Sequence, residues 1–299
     1  MNRRDFLKKT VLAGAGLALP GSLTVVDCLR AAQRPDLAVV RGVSPGDITR
    51  EAVKVLGGMG RFVSRGDVVV VKPNIGWDRP PDMAANTNPD VVAAVVKMCL
   101  DAGARRVKVF DHSVNDPRRC YRQSGIGDAA RRAGAEVSYI NKKRFVPVKI
   151  DGIALPEWPL YRDVLEADTI INVPVAKTHG TSRLTMGMKN LMGVMGGWRF
   201  RVHQRIDESL VDIAGAIRPS LTLLDAVRII VSNGPQGGRP GDVKRLDTVI
   251  AGADQVAVDA YGATLFGLTG RDLGYVRLAH ETGLGNMELS RLDIREKRL

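Results

Sequence analysis

Residues 67–72 read DVVVVK and residues 169–173 read TIINV. Runs this short cannot make a stable helix, and they offer no polar face to water. Each therefore reads as a strand covered on both sides, the signature of a parallel sheet sandwiched between helices. The segments between them carry helix signals. Asp47–Gly60 reads as a helix ended by glycines. Asn88–Pro89 opens a second one, with Asn as N-cap and Pro in the first turn, running to Ala102–Gly103. Val107–Phe110 and Glu136–Ile140 read as further strands, with a helix near Gly127–Ala133 between them. Leu184–Val194 reads as a Met-rich helix and Ile206–Ile217 as a helix stopped by Pro219. Leu221–Leu224, Val227–Val231 and Thr248–Ala251 read as strands, and Asp254–Phe266 and Leu273–Thr282 as helices. Alternation of this kind implies an open, mostly parallel sheet with helices on both faces. One segment breaks the rhythm. RFVPVKIDGIALPEW, within about 142–159, places Asp151–Gly152 between alternating apolar residues, which predicts an inserted β-hairpin.

The amino terminus points elsewhere. Arg3 and Arg4 precede an uncharged run from Val11 to Val26, sixteen residues long and interrupted by Gly14, Gly16, Pro20 and Gly21. The pattern resembles a twin-arginine signal, so residues 1–32 are expected to engage the twin-arginine export machinery and 33–299 to form a single α/β domain. The run is short and glycine-rich for a permanent span, and a retained membrane anchor is the alternative. Expected cleavage near Ala31–Ala32 gives a periplasmic or extracytoplasmic protein exported already folded. It also removes five Lys/Arg and two Asp/Glu, lowering the net charge from +12 to +9. A basic surface attracts anions. Export and an aromatic content of 5% argue against nucleic acid, since single-strand platforms need interleaved aromatics.

In open α/β sheets, ligands collect beyond the carboxyl ends of the strands. Each predicted strand leaves through polar residues there: Lys72 and Asn74, then Asp111–His112, then Asn172, Lys177 and His179, then Asp225. Lys72, Lys177 and Lys189, if clustered, would hold a carboxylate or phosphate. Asn74, Asn172 and Asn190 would orient an oxygen-rich ligand. His179 and His203 would exchange protons, with Asp225 or Asp111 orienting the imidazole and Lys189 as a further catalytic group. His112 and His280 read as structural or exposed. His179, His203, Asp111 and Asp225 could alternatively hold a divalent metal, although no HxH or HExxH spacing occurs. SNGPQGGRPGD, residues 232–242, reads as a flexible connector or an anion-cradling loop. Cys99 reads as a buried thiol, Cys120 lies in a basic loop, and a Cys99–Cys120 disulfide is an open alternative. No CxxC pair exists, so the chain's own cysteines hold no iron–sulfur cluster.

KPNIGW, TNPDVV, INVPVAKTHGTSRLTMGMKNLMGVMGG, RVHQR, LTLLDAV, SNGPQGG and ADQVAVDAYGATLFG occur in that order. Together they resemble a bacterial and archaeal family known as domain of unknown function 362, from about Val68 to Gly267. The resemblance implies the α/β fold and carries over Lys72, Asn74, Lys177, His179, Lys189, Asn190, His203, Asp225 and Asp259, the last also readable as an ion-pair partner. Many relatives carry twin-arginine signals and others an appended ferredoxin-like cluster domain, whose cysteines this chain lacks. Two functions are expected on these grounds. One is an exported enzyme acting on a small anionic substrate by general acid/base chemistry. The other is a non-catalytic anion- or cofactor-binding protein serving a redox partner.

Overall fold

Val69, Val70 and Val71 are all shielded from solvent, with Val69 and Val71 in one apolar layer and Val70 in the other. An unbroken apolar strand behaves this way because its side chains alternate between two covered faces. The computed structural model describes residues 34–299. Strand β1, Leu37–Arg41, leads to helix α1, Pro45–Val55, whose cap Ser44 accepts from Asp47 N. Then come β2, Val68–Pro73, and α2, Pro89–Asp101, where Asn88 accepts from Asp90 N as the Asn–Pro signal predicts. β3, Arg106–Val109, is followed by α3, Pro117–Gln123, α4, Ile126–Arg132, and the two-residue β4, Glu136–Val137. β5, Phe145–Lys149, and β6, Glu157–Tyr161, precede α5, Arg162–Leu165. β7, Thr169–Val173, β8, Val175–His179, and β9, Arg183–Thr185, run into α6, Gly187–Asn190. The rest is α7, Ile206–Ile217, β10, Leu221–Ile230, β11, Val243–Gly252, α8, Gln255–Thr264, α9, Gly274–Glu281, and β12, Ile294–Arg298.

The main sheet runs β12-β1-β11-β10-β7-β2-β3-β4, with β8 beside β10 and β9 beside β8. β4, β3, β2, β7 and β10 are parallel neighbours, and β11 runs antiparallel to both β10 and β1. From β2 the chain steps outward through β3 to β4, then returns to the other side of β2 with β7 and β10. The order therefore reverses between β2 and β7, and a crevice opens at their carboxyl ends. One apolar layer packs α1, α2 and α4 residues such as Ile48, Val92, Val95 and Ile126 on the sheet. The other packs Leu210, Ile213, Val256, Val258 and Tyr275 of α7, α8 and α9. The mixed α/β class with helices on both faces is what the sequence predicts.

Several elements differ from expectation. Leu221–Leu224 and Val227–Val231 are one strand, β10, broken only by a register shift between Ala226 and Arg228. The Met-rich helix expected over Leu184–Val194 starts as β9 and shortens to α6 plus a 3₁₀ turn, Leu191–Val194. Its start is fixed from far away: Asp259 of α8 accepts from Gly187 N at 2.6 Å and Met188 N at 3.0 Å. Asp259 is thus a helix cap rather than an ion-pair partner. β1, β8, β9 and β12 were not anticipated; β12 is the mostly charged edge segment IREKR, whose pattern does not announce a strand. The signal assigned to residues 1–32 lies outside the described residues. Among those described, no helix is long and apolar enough to cross a membrane. Cys99 and Cys120 are separate buried thiols, not a disulfide.

The hairpin forms as predicted, in its own two-stranded sheet, pairing Phe145 with Tyr161 and Lys149 with Glu157. Its connecting loop is held by Asp212 of α7, whose carboxylate accepts from Ile153 N, Ala154 N and Leu155 N at 2.7–2.8 Å. Asp212→Ala is expected to accelerate hydrogen exchange at amides 153–155 and to cost roughly 1–3 kcal/mol of stability. Unchanged exchange there would show that the loop does not depend on this carboxylate.

Candidate functional site

A cavity of about 280 Å³ lies where the sheet reverses its order. Among the described residues, five parts of the chain supply its ionisable and amide side chains. The exit of β2 supplies Lys72 and Asn74, and the exit of β3 supplies Asp111 and His112. β8 supplies Lys177 and His179, and α6 supplies Lys189 and Asn190. A 3₁₀ segment, Arg199–Arg205, supplies Arg199, Phe200 and His203. β8 exists because the chain bends at Pro174 after β7 and pairs again with β10. That second pairing carries Lys177 into the cavity instead of leaving it in a solvated loop.

Lys72 is 1% exposed and fully engaged. Its Nζ donates to Pro73 O at 2.8 Å and Asn190 Oδ1 at 3.0 Å, and pairs with Asp111 Oδ1 at 2.8 Å. The other oxygen of Asp111 accepts from Ile75 N at 2.6 Å. Gly193 lies against this pair, where a Cβ would overlap Asp111 Oδ1 and come within 2.5 Å of Lys72 Nζ. Lys177, also 1% exposed, pairs with no carboxylate among the described residues; it donates to Ala85 O at 2.5 Å and Asn74 Oδ1 at 3.1 Å. Lys189, 6% exposed, meets Met192 Sδ at 3.4 Å and His203 Nε2 at 3.3 Å. Three amides join these groups. Asn74 Nδ2 donates to Asn190 Oδ1, Asn190 Nδ2 to Asn172 Oδ1 and Lys72 O, and Asn172 Nδ2 to Gly187 O.

The electrostatics follow from burial. Desolvation brings Lys177 and Lys189 each down to about 7, with neighbouring cations adding to the shift. Lys72 is lowered by the same burial, opposed by Asp111. Burial also lowers Arg199, against the pull of Asp111. His179 falls to about 3, through burial first and then the charges of Lys189, His203 and Lys177. It is therefore neutral at ordinary pH. Its Nδ1 accepts from Thr181 N at 3.1 Å, so the proton sits on Nε2. The ring stacks on His203, with centroids 5.7 Å apart. Burial and Lys189 together lower His203.

Of the residues singled out in the sequence, Lys72, Asn74, Asp111, Lys177, His179, Lys189, Asn190 and His203 line the cavity. Asn172 stands one layer behind, orienting Asn190. Asp225 does not join them, and the histidine-orienting role expected for it is not what the structure gives. Its oxygens accept from Asn88 N at 2.7 Å and Val227 N at 2.9 Å, and burial raises it to about 6. It ties the α2 cap to the kink of β10. The metal alternative loses its ligand set with it: Asp111 is committed to Lys72 and Ile75 N. Among the described residues, no three His, Cys, Asp or Glu groups converge as a metal would need. Sequence reasoning missed Arg199 and discounted His112, which lines the cavity with its Nδ1 against Met195 O at 2.8 Å. Arg199 sits four residues before His203, a helical spacing that was the available signal. Its guanidinium donates to His112 O and Ser113 O. The 232–242 loop is a docked wall rather than a loose connector. Gly234 N donates to Thr178 Oγ1, Asp242 accepts from Ser232 and Asn233, and Pro235 faces the cavity.

Fold and site thus define an open α/β protein with a cationic, amide-lined cleft at the sheet's switch point. The chain belongs to the family described as "Domain of unknown function (DUF362)", which it matches over residues 69–264. It is 31% identical over 218 residues to "Thylakoid-associated protein sll1697" of Synechocystis sp., covering 70% of this chain and 66% of that one. The chain therefore spans about two thirds of that relative's length. Among solved structures, it is similar to the lactate racemase apoprotein from Thermoanaerobacterium thermosaccharolyticum, with a TM-score of 0.47 and 11% identity over 78% of this chain and 57% of that one. A Thermotoga maritima structural genomics target gives a TM-score of 0.48 and 14% identity over 76% of this chain and 60% of its own.

Gly193→Ala tests the packing at the centre of the site. The added methyl must displace the Lys72–Asp111 pair, and we expect a loss of roughly 1–3 kcal/mol in denaturant unfolding. A variant as stable as the parent would show that the pair can move aside freely.

Proposed function

We infer that the protein is an enzyme acting on a small anionic substrate, a carboxylate or phosphate, by general acid/base chemistry. One observation carries this reading: among the described residues, Lys72, Lys177, Lys189 and Arg199 line the cavity with a single carboxylate, Asp111. Buried cations without counter-ions are costly, and a bound anion supplies what is missing. The volume, about 280 Å³, suits a metabolite-sized ligand. Asn74 and Asn190 would orient its oxygens. His203, against Lys189 Nζ, and His179, with its proton on Nε2, are the groups placed to move protons.

The binding form of an amine is the ammonium, and burial brings Lys177 to lose its proton at about 7. Binding an anion therefore takes up a proton, and affinity should fall as pH rises through 7. The limit is about tenfold per pH unit for each proton taken up. Calorimetric titration with phosphate, oxalate and pyruvate across this range reads the effect directly, and Lys177→Met should weaken binding and flatten the profile. Failure of every small carboxylate and phosphate to bind, or an affinity indifferent to pH, would sink the reading.

We also infer that the chain is exported through the twin-arginine route. Support comes from the Arg3–Arg4 pair ahead of the apolar run Val11–Val26. With both arginines exchanged for lysine, the protein should accumulate uncut in the cytoplasm of its host. Export at the parental level would remove this inference.

A further inference from the structure

The three amines of the cleft are not equivalent. Lys72 has a carboxylate, an amide oxygen and a carbonyl around its Nζ, and Lys177 has two oxygen acceptors. All of these stabilise an ammonium. Lys189 has a thioether, which is a weak acceptor, and an imidazole nitrogen. Among the described residues, no carboxylate lies within ion-pair distance of it, and residues 188–194 around it are buried throughout. Such surroundings favour a neutral amine with a free lone pair, held beside a group that can take its proton. The lowering of its pKa to about 7 by burial agrees.

We propose that Lys189 is a covalent catalytic residue, condensing with the carbonyl of a small oxo acid to form an imine while Lys177 and Arg199 hold the acid's carboxylate. The proposal deepens the anion-cleft reading above and rests on it. In the step, the Nζ lone pair attacks the carbonyl carbon and the C–N bond forms. The carbonyl π pair moves to oxygen, which gains a proton to become a hydroxyl. A second proton converts that hydroxyl to water, the C–O bond breaks, and nitrogen supplies the pair that closes the C=N bond. Both protons on the departing water come from the amine, and His203 Nε2, 3.3 Å from Nζ, is the group that passes them. Amine and carbonyl give imine and water, so no oxidant or reductant takes part.

Pyruvate with sodium borohydride tests this, with propionate as the acid that lacks the carbonyl. The expected product is a protein heavier by pyruvic acid less one oxygen, with the addition mapped by peptide mass spectrometry to Lys189. No such product should form with propionate, and Lys189→Arg should abolish it with pyruvate. His203→Gln should slow trapping and shift its pH profile; an unmoved profile would overturn the proton-passing role. Pyruvate and propionate that both bind without any trapped adduct would overturn the imine alone. So would an adduct confined to surface lysines. If neither acid binds, the anion cleft fails and the imine fails with it. The mapped site is read on the unaltered protein, so the result does not depend on how a variant folds.

Discussion

The cost of burying charge organises this molecule. Lys72, Lys177 and Lys189 are held almost out of water, and among the described residues Asp111 is the only carboxylate that meets them. A lysine so placed must find acceptors or give up its proton. The fold answers differently for each one. For Lys72 it supplies a full set of partners, packed by a backbone with no side chain at Gly193. For Lys177 it supplies a carbonyl and an amide oxygen. For Lys189 it supplies sulfur and imidazole. The switch between β2 and β7 makes this possible, because it leaves a crevice at the carboxyl ends of central strands that are buried on both faces.

Much of the fold was legible in the sequence because the central strands carry their burial in their composition. A valine run such as 69–71 has one reading, and Asn88–Pro89 marks the next helix unambiguously. The hairpin was legible because its residues alternate around a turn dipeptide. What stayed hidden depends on partners distant in the chain. Helix α6 begins at Gly187 because Asp259, 72 positions away, caps it, and no local pattern can show that. β12 is stabilised by pairing along β1, and its own residues are mostly charged.

The cleft was partly legible for a related reason. Polar residues at the downstream ends of apolar strands converge once the strands are parallel, so Lys72, Asn74, Asp111 and Lys177 could be grouped from topology alone. The same logic misplaced Asp225, which also follows an apolar run. Position along a strand says where a side chain starts, not which backbone groups claim it, and the amides of Asn88 and Val227 claim this one. Arg199 escaped notice for the opposite reason. Surrounded by other arginines in WRFRVHQR, it reads as one more surface charge, yet its guanidinium fastens onto the carbonyls of His112 and Ser113.

The amides running from Lys177 through Asn74, Asn190 and Asn172 to Gly187 O all point one way, each donating to the next. Turning one asparagine over would set like against like at both of its neighbours, so the row is locked as a unit. Lys177 enters that row with two hydrogen bonds, and an uncharged amine still has two hydrogens to offer. This wall can therefore gain or lose a positive charge while every atom stays where it is.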